Sequence, residues 1–209
     1  SRMNKKMNEN TNIKPDSIYG ISKFAGEMFV KQVLEKTSTK TLILRVFNTY
    51  GPGENLHNFQ KGMVSIYSSY IWKKKPILVK GSLKRFRDFT YVSDCAEILS
   101  KSISVKLKKR NEIFNLSTGE NYTVKSLLKK ILYASGQRND YPIKVLRNTQ
   151  GDSFGFHASI KKLKKYFKYR PKYNLDRGLK EYFKWISRIP NVKNLNKYHP
   201  LKYEKKRIY

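Results

Sequence analysis

Helix-period segments alternate with short apolar runs along this 209-residue chain, and that alternation restricts it to an α/β architecture. Ile21, Ala25, Met28, Phe29 and Val33 recur at helical spacing behind the helix-start chemistry of Pro15-Asp16-Ser17, which predicts a helix over 17–36. Thr41 to Phe47 follows as a nearly continuous apolar run, the pattern of a strand buried on both faces of a parallel sheet. Downstream, helices are expected over 62–72, 94–106, 123–136, 159–167 and 175–186, and strands over 76–79, 89–92, 112–116 and 143–146. Ser93 is the expected cap of the 94–106 helix, with Cys95, Ile98, Leu99 and Ile103 on its inner face. Residues 1–15 have no hydrophobic period and read as an extended entry segment. From Pro190 onward the chain is basic and aperiodic, and reads as a loosely attached tail.

Charge bears on partners. Lys and Arg number 45 against 15 Asp and Glu, a formal net charge of +30 that attracts polyanions through counterion release. The cations are spread over predicted helices, so solvated helix faces compete with a nucleic-acid surface as their explanation. No zinc-finger, basic-zipper or RNA-recognition pattern accompanies them. A hydrophobic content of 39% with 13% aromatic residues excludes a disordered basic tail. The single cysteine, Cys95, excludes an intrachain disulfide and argues against structural zinc, consistent with a cytoplasmic chain. No stretch approaches the roughly 18 consecutive apolar residues of a membrane span. A glycine-rich turn leading from an early strand into a helix, the cradle of a dinucleotide pyrophosphate, is missing as well.

Tyr19 and Lys23 lie four apart on the first predicted helix and so share one face of it. A phenol, with a reference pKa near 10, is a poor base at neutral pH, and an ammonium one helical turn away favours the phenolate. On spacing alone, a packed tyrosine beside a solvated lysine is the favoured explanation of the pair. Context adds to it. Tyr19-Gly20-Ile21-Ser22-Lys23, followed by Glu27, resembles the Tyr-x-x-x-Lys catalytic helix of the extended short-chain dehydrogenase/reductases, the NAD-dependent epimerase/dehydratase family. Arg45 to Gly53 resembles the family's strand-to-loop motif after that helix, and Arg87 to Asp94 its arginine-bearing motif. Phe114 to Gly119 is similar to its late strand and turn, and Gly151-Asp152 with Ser159 to Leu163 to the segment closing over the nucleotide. The runs Lys80 to Phe89 and Thr149 to Gly155 are most similar to the UDP-glucose 4-epimerase-like branch.

The resemblance implies the C-terminal part of a Rossmann-like doubly wound fold with a small α/β substrate lobe. Residues 1–55 would be the remnant of the dinucleotide-binding domain and 56–189 mainly the substrate lobe, with segments around 89–118 returning to the Rossmann sheet and 190–209 a basic tail. It implies NAD as cofactor and a UDP-sugar as substrate. Tyr19 would exchange a proton with a sugar hydroxyl, and Lys23 would hold the nicotinamide ribose. Asn48 and Arg87 would bind the substrate diphosphate, and Asp152 the nucleotide ribose. Thr149 stands where many relatives carry a second phosphate-binding arginine. With the glycine-rich half absent from the sequence, this polypeptide alone is expected to bind NAD weakly and to expose an unpaired strand edge. The resemblance further implies a homodimer through the Tyr19 helix, or a partner supplying the N-terminal half. The alternatives are a nucleotide-sugar dehydratase and a non-catalytic, basic polyanion-binding protein on the same scaffold.

Overall fold

The computed structural model describes residues 6–59, 62–147 and 154–189. The elements run α1 (Ile18–Val33), β1 (Thr41–Val46), β2 (Thr49–Tyr50), α2 (Met63–Trp72), β3 (Ile77–Lys80), β4 (Phe86–Arg87) and β5 (Thr90–Tyr91). They continue through α3 (Val92–Ser104), β6 (Asn111–Leu116), β7 (Tyr122–Thr123), α4 (Val124–Ala134), β8 (Ile143–Leu146), α5 (Lys161–Phe167) and α6 (Leu175–Ile186). β1 pairs in parallel with β6, from Thr41 opposite Asn111 to Val46 opposite Leu116. β2 is parallel to β5 and β3 to β8, whereas β4 and β7 are antiparallel. Parallel pairs joined by helical crossovers are the expected outcome of alternating strand and helix patterns.

Apolar burial divides into two cores. In the first, Phe114 and Leu116 of β6 pack with Cys95 and Ile98 of α3 and with Leu163 and Phe167 of α5. In the second, Ile77 and Val79 of β3 meet the inner stripes of α4 (Leu127, Leu128, Ile131) and α6 (Leu179, Tyr182, Ile186), joined by Tyr50, Phe89 and Tyr91. Cys95 is thus a core residue, with burial pushing its thiol upward and Thr49 Oγ1 3.5 Å from its sulfur. Asp94 stitches the cores together: its carboxylate, 1% exposed, accepts the backbone N–H groups of Lys172 and Tyr173, each at 3.2 Å.

Five expectations need correction. β1 is not buried on both faces; only Thr41 is buried, and β6 is its one paired neighbour among the described residues. α1 contains no buried residue and leaves Met28, Phe29 and Val33 exposed, because it rests on β1 and lacks a second sheet neighbour among the described residues. Ser93 does not cap α3: the chain turns from β5 directly into the helix at Val92, with Tyr91 in extended backbone at the cap position. Leu99 and Ile103 lie on the outer side of α3, Ile103 at 88% exposure. The helix expected from Ser159 begins at Lys161 instead, because Ser159 N–H donates to Met7 O (2.8 Å) and Ala158 pairs with Met7.

α1 is held by polar contacts in place of apolar burial. Ser17 Oγ accepts from Gly20 N–H at 3.1 Å, an N-cap that satisfies one orphan donor of the first turn. At the other end, Arg110 Nη2 donates to Leu34 O (2.7 Å) and to Thr37 O. Arg45 of β1 forks onto Glu27, as described below.

Glu97 of α3 gives the fold an acid-sensitive contact, lying 2.6 Å from Lys101 Nζ and 2.7 Å from Lys172 Nζ. The hydrogen bond from Lys101, then that from Lys172, holds its carboxyl below the ordinary carboxylate range. A lowered folded value means stability that is present above the unfolded pKa and lost as pH falls through the folded one. Burial shifts Asp88 and Asp94 the opposite way, so their stability contributions run in the opposite direction with pH. Glu97→Gln is therefore expected to lower stability at neutral pH while leaving it nearly unchanged at low pH, which flattens part of the acid limb of a denaturant-measured stability profile. An unchanged acid limb would refute that assignment.

Candidate active site

One cleft of about 890 Å³ opens beside the C-terminal end of β1, and its wall includes Tyr19, Asn48, Arg87, Phe89 and the start of α2. Each of these side chains arrives from a different element. Tyr19 stands in the first turn of α1 with 71% of its surface exposed. Lys23, one turn on, has its ammonium 5.3 Å from the centre of the Tyr19 ring, so the two do share a helix face. Lys23 itself lies behind Tyr19 and off the cleft wall.

Asn48 follows β1 with φ +22°, a left-handed backbone that asparagine tolerates better than most residues. Its Nδ2 donates to the Asp88 carbonyl at 2.9 Å, and its own carbonyl accepts Thr90 N–H at 3.3 Å. One amide hydrogen thus orients the group and the second is directed elsewhere. Arg87 fixes its guanidinium by donating Nη1 to the carbonyls of Phe86 (2.8 Å) and Phe154 (3.1 Å). Burial, followed by the neighbouring charge of Arg85, draws Arg87 below the usual guanidinium range, yet a guanidinium keeps its charge at neutral pH. Arg85 is 3% exposed, so two cations stand close together in a partly desolvated place. An anion in the cleft lowers the energy of such a pair.

Other features of the wall were not legible beforehand. The amino end of α2 reaches the cleft as Gly62, Met63 and Val64, and its N-cap, Gly62, makes no side-chain capping bond. First-turn N–H groups lacking a cap favour an anionic neighbour. Asp88 sits between the Asn48 segment and the Thr118 turn: its carboxylate accepts Thr118 N (3.0 Å), Thr118 Oγ1 (2.7 Å) and Gly119 N (2.7 Å), while its carbonyl orients Asn48. Burial raises its pKa, with the bonds from Thr118 opposing. The sequence signal for it was the acid lodged between Arg87 and Phe89, paired with a Ser117-Thr118-Gly119 turn. The entry segment also contributes, with Asn12, Lys14, Asp16 and Ser17 on the wall. Asp152, expected at the nucleotide ribose, and Thr149 lie outside the described residues. Within those residues no cluster of His, Cys, Asp and Glu could hold a metal ion, and no helix is long and apolar enough to cross a membrane.

An amide, a guanidinium and a helix amino end without a side-chain cap converge on anion binding, with the Tyr19 phenol on the same wall and the Lys23 ammonium beside its ring. Comparison with known proteins points the same way. Residues 1–182 match the family described as GDP-mannose 4,6 dehydratase. The chain is 29% identical over 180 residues to a putative UDP-glucose 4-epimerase of Methanocaldococcus jannaschii, covering 86% of this chain and 56% of that protein. It is 25% identical over 186 residues to dTDP-L-rhamnose 4-epimerase of Burkholderia thailandensis, covering 89% and 50%. The crystal structure of UDP-glucose 4-epimerase from Thermotoga maritima with UDP-glucose superposes with a TM-score of 0.79 at 25% identity, covering 87% of this chain and 57% of that one. The chain therefore spans about half the length of the relatives it matches.

Proposed function

Because the chain belongs to the GDP-mannose 4,6-dehydratase family, we propose that it is the sugar-nucleotide-binding part of an NAD-dependent epimerase acting on a UDP-sugar. The observation that carries this reading is the meeting of Tyr19, Asn48 and Arg87 on one cleft, although they are remote in sequence. Relatives that are UDP-sugar 4-epimerases support the substrate class. Residues 1–55 would belong to the dinucleotide-binding domain and 56–189 mainly to the substrate lobe. Asp152 keeps its proposed place at the ribose. The exposed Met28, Phe29 and Val33 of α1 support a covering contact there, from a second copy or from a dinucleotide-binding half.

In this reading, Arg87 pairs with the diphosphate and Asn48 donates its second amide hydrogen to it, with the first turn of α2 facing the same charge. As the phenolate, Tyr19 takes the proton of the sugar C4 hydroxyl, and as the phenol it returns that proton after the sugar presents its other face. Lys23 stays beside the phenol throughout, its ammonium 5.3 Å from the centre of the ring. The residues present fit the nicotinamide end of NAD, since Tyr19 is open to the cleft with Lys23 one turn behind; the sequence holds no glycine-rich turn for the pyrophosphate end. NAD, when bound, supplies reversible hydride acceptance at the carbon that loses its configuration.

The competing reading, nonspecific polyanion binding, draws on the +30 charge. Calorimetric titration with UDP-glucose separates the two. Binding that survives 0.2 M salt and an excess of duplex DNA is expected, and Arg87→Ala should weaken it about 10- to 100-fold, the value of a charge-assisted contact of roughly 1.5–3 kcal/mol. Equal loss of affinity with DNA competitor, and no effect of Arg87→Ala, would count against the epimerase reading.

A further inference from the structure

Tyr19, Lys23 and Glu27 form a single stripe on α1, each one turn from the next, so the ammonium lies between a phenol and a carboxylate. On an isolated helix, Lys23 and Glu27 at this spacing would attract one another. The folded chain does something else. Both oxygens of Glu27 accept from the Arg45 guanidinium, Nε to Oε1 and Nη2 to Oε2, each at 2.7 Å. The fork is largely withdrawn from water, with side-chain exposures of 20% for Arg45 and 13% for Glu27. Arg45 is anchored in turn by its place in β1, opposite Asn115 of β6, and by Nη1 donating to the Glu9 carbonyl at 3.2 Å. Lys23 then turns the other way along the stripe, over the Tyr19 ring.

We propose that Arg45 is a positioning residue for the Tyr19–Lys23 pair: by occupying both oxygens of Glu27 it keeps that carboxylate from drawing Lys23 away from the phenol. A bidentate, charge-assisted pair outcompetes a single flexible ammonium, because the planar fork loses less freedom for each bond it makes. The inference deepens the epimerase reading and rests on it, since a lysine reserved for Tyr19 matters only where the two act together.

The test is the NMR signal of the Lys23 ε-methylene in the full chain, which the Tyr19 ring current displaces upfield; Tyr19→Leu supplies the undisplaced reference. Arg45→Gln is expected to abolish the displacement by freeing Glu27, and Arg45→Gln with Glu27→Gln to restore it, while Glu27→Gln alone leaves it intact. If Arg45 merely docks α1 on β1, the double variant loses the displacement as the single does, and the proposal falls. Retention of the displacement in Arg45→Gln overturns it equally. Should Arg45→Gln fail to fold, Arg45→Lys, which keeps charge but not the fork, is expected to give partial loss reversed by Glu27→Gln; no change in Arg45→Lys defeats the proposal. A parent chain whose Lys23 signal is indifferent to Tyr19→Leu would instead remove the Tyr19–Lys23 pair, and with it the catalytic reading.

Discussion

Gly178→Ala is expected to lower the stability of this chain by about 2–3 kcal/mol, although the same change in an exposed helix normally adds about 1 kcal/mol. The sign reverses because a β-carbon at Gly178 would stand 2.0 Å from the Tyr50 hydroxyl oxygen, 2.9 Å from its Cζ and 3.1 Å from Tyr91 Cδ2. Tyr50 has nowhere to go. It is 2% exposed, makes edge contacts with Phe89, Tyr91 and Tyr182, and donates its hydroxyl to the Leu175 carbonyl at 3.4 Å. The melting temperature should fall by roughly 4–12 °C for a chain of this size. Tyr50→Phe alone loses a buried hydrogen bond, about 0.5–1.5 kcal/mol, but in the Gly178→Ala background it removes the closest clash. The pair should therefore be less unstable than the sum of the single changes, a coupling that a thermal double-mutant cycle reads directly. Simple additivity would mean that the helix α6 and Tyr50 do not meet as described.

Tyr19→Phe is expected to lower turnover about 10²- to 10⁴-fold, the usual contribution of a positioned acid/base, while UDP-glucose affinity stays within about twofold. The separation follows from the division of roles: Tyr19 comes from α1, whereas the Asn48, Arg87 and α2 groups proposed to grip the diphosphate come from other parts of the wall. The assay is conversion of UDP-glucose to UDP-galactose with NAD, in the presence of a polypeptide that supplies a dinucleotide-binding half. Parallel calorimetry with UDP-glucose on the same variant reads binding. A Tyr19→Phe protein that turns over at the parent rate would leave the phenol without the role proposed for it. Parallel loss of binding would place Tyr19 among the diphosphate contacts instead.

Element type was readable because hydrophobic period is a local property: β8 and α6 lie at 143–146 and 175–186, as the pattern of the sequence alone predicts. Thr123 was legible as a helix start for the same reason, and its hydroxyl does accept Ser126 N–H. Three of the site residues, Tyr19, Asn48 and Arg87, could be singled out from ordered motifs, though spacing could not say that they share a cleft. Burial was the poorest inference. Leu99 and Ile103 fit a helical stripe as well as Cys95 and Ile98 do, and only the position of neighbouring elements decides which part of a stripe is covered.

By itself, then, the order of residues determined the type and approximate place of helices and strands, which side chains are candidates for chemistry, and the surplus of positive charge. Tertiary structure alone decided that Asp88 ties Asn48 and the Thr118 turn together, that Arg45 takes Glu27 away from Lys23, and that Gly178 makes room for Tyr50. Those contacts join residues 18 to 128 positions apart, and a hydrogen bond or a steric limit exists only where the folded backbone brings two groups within a few ångströms.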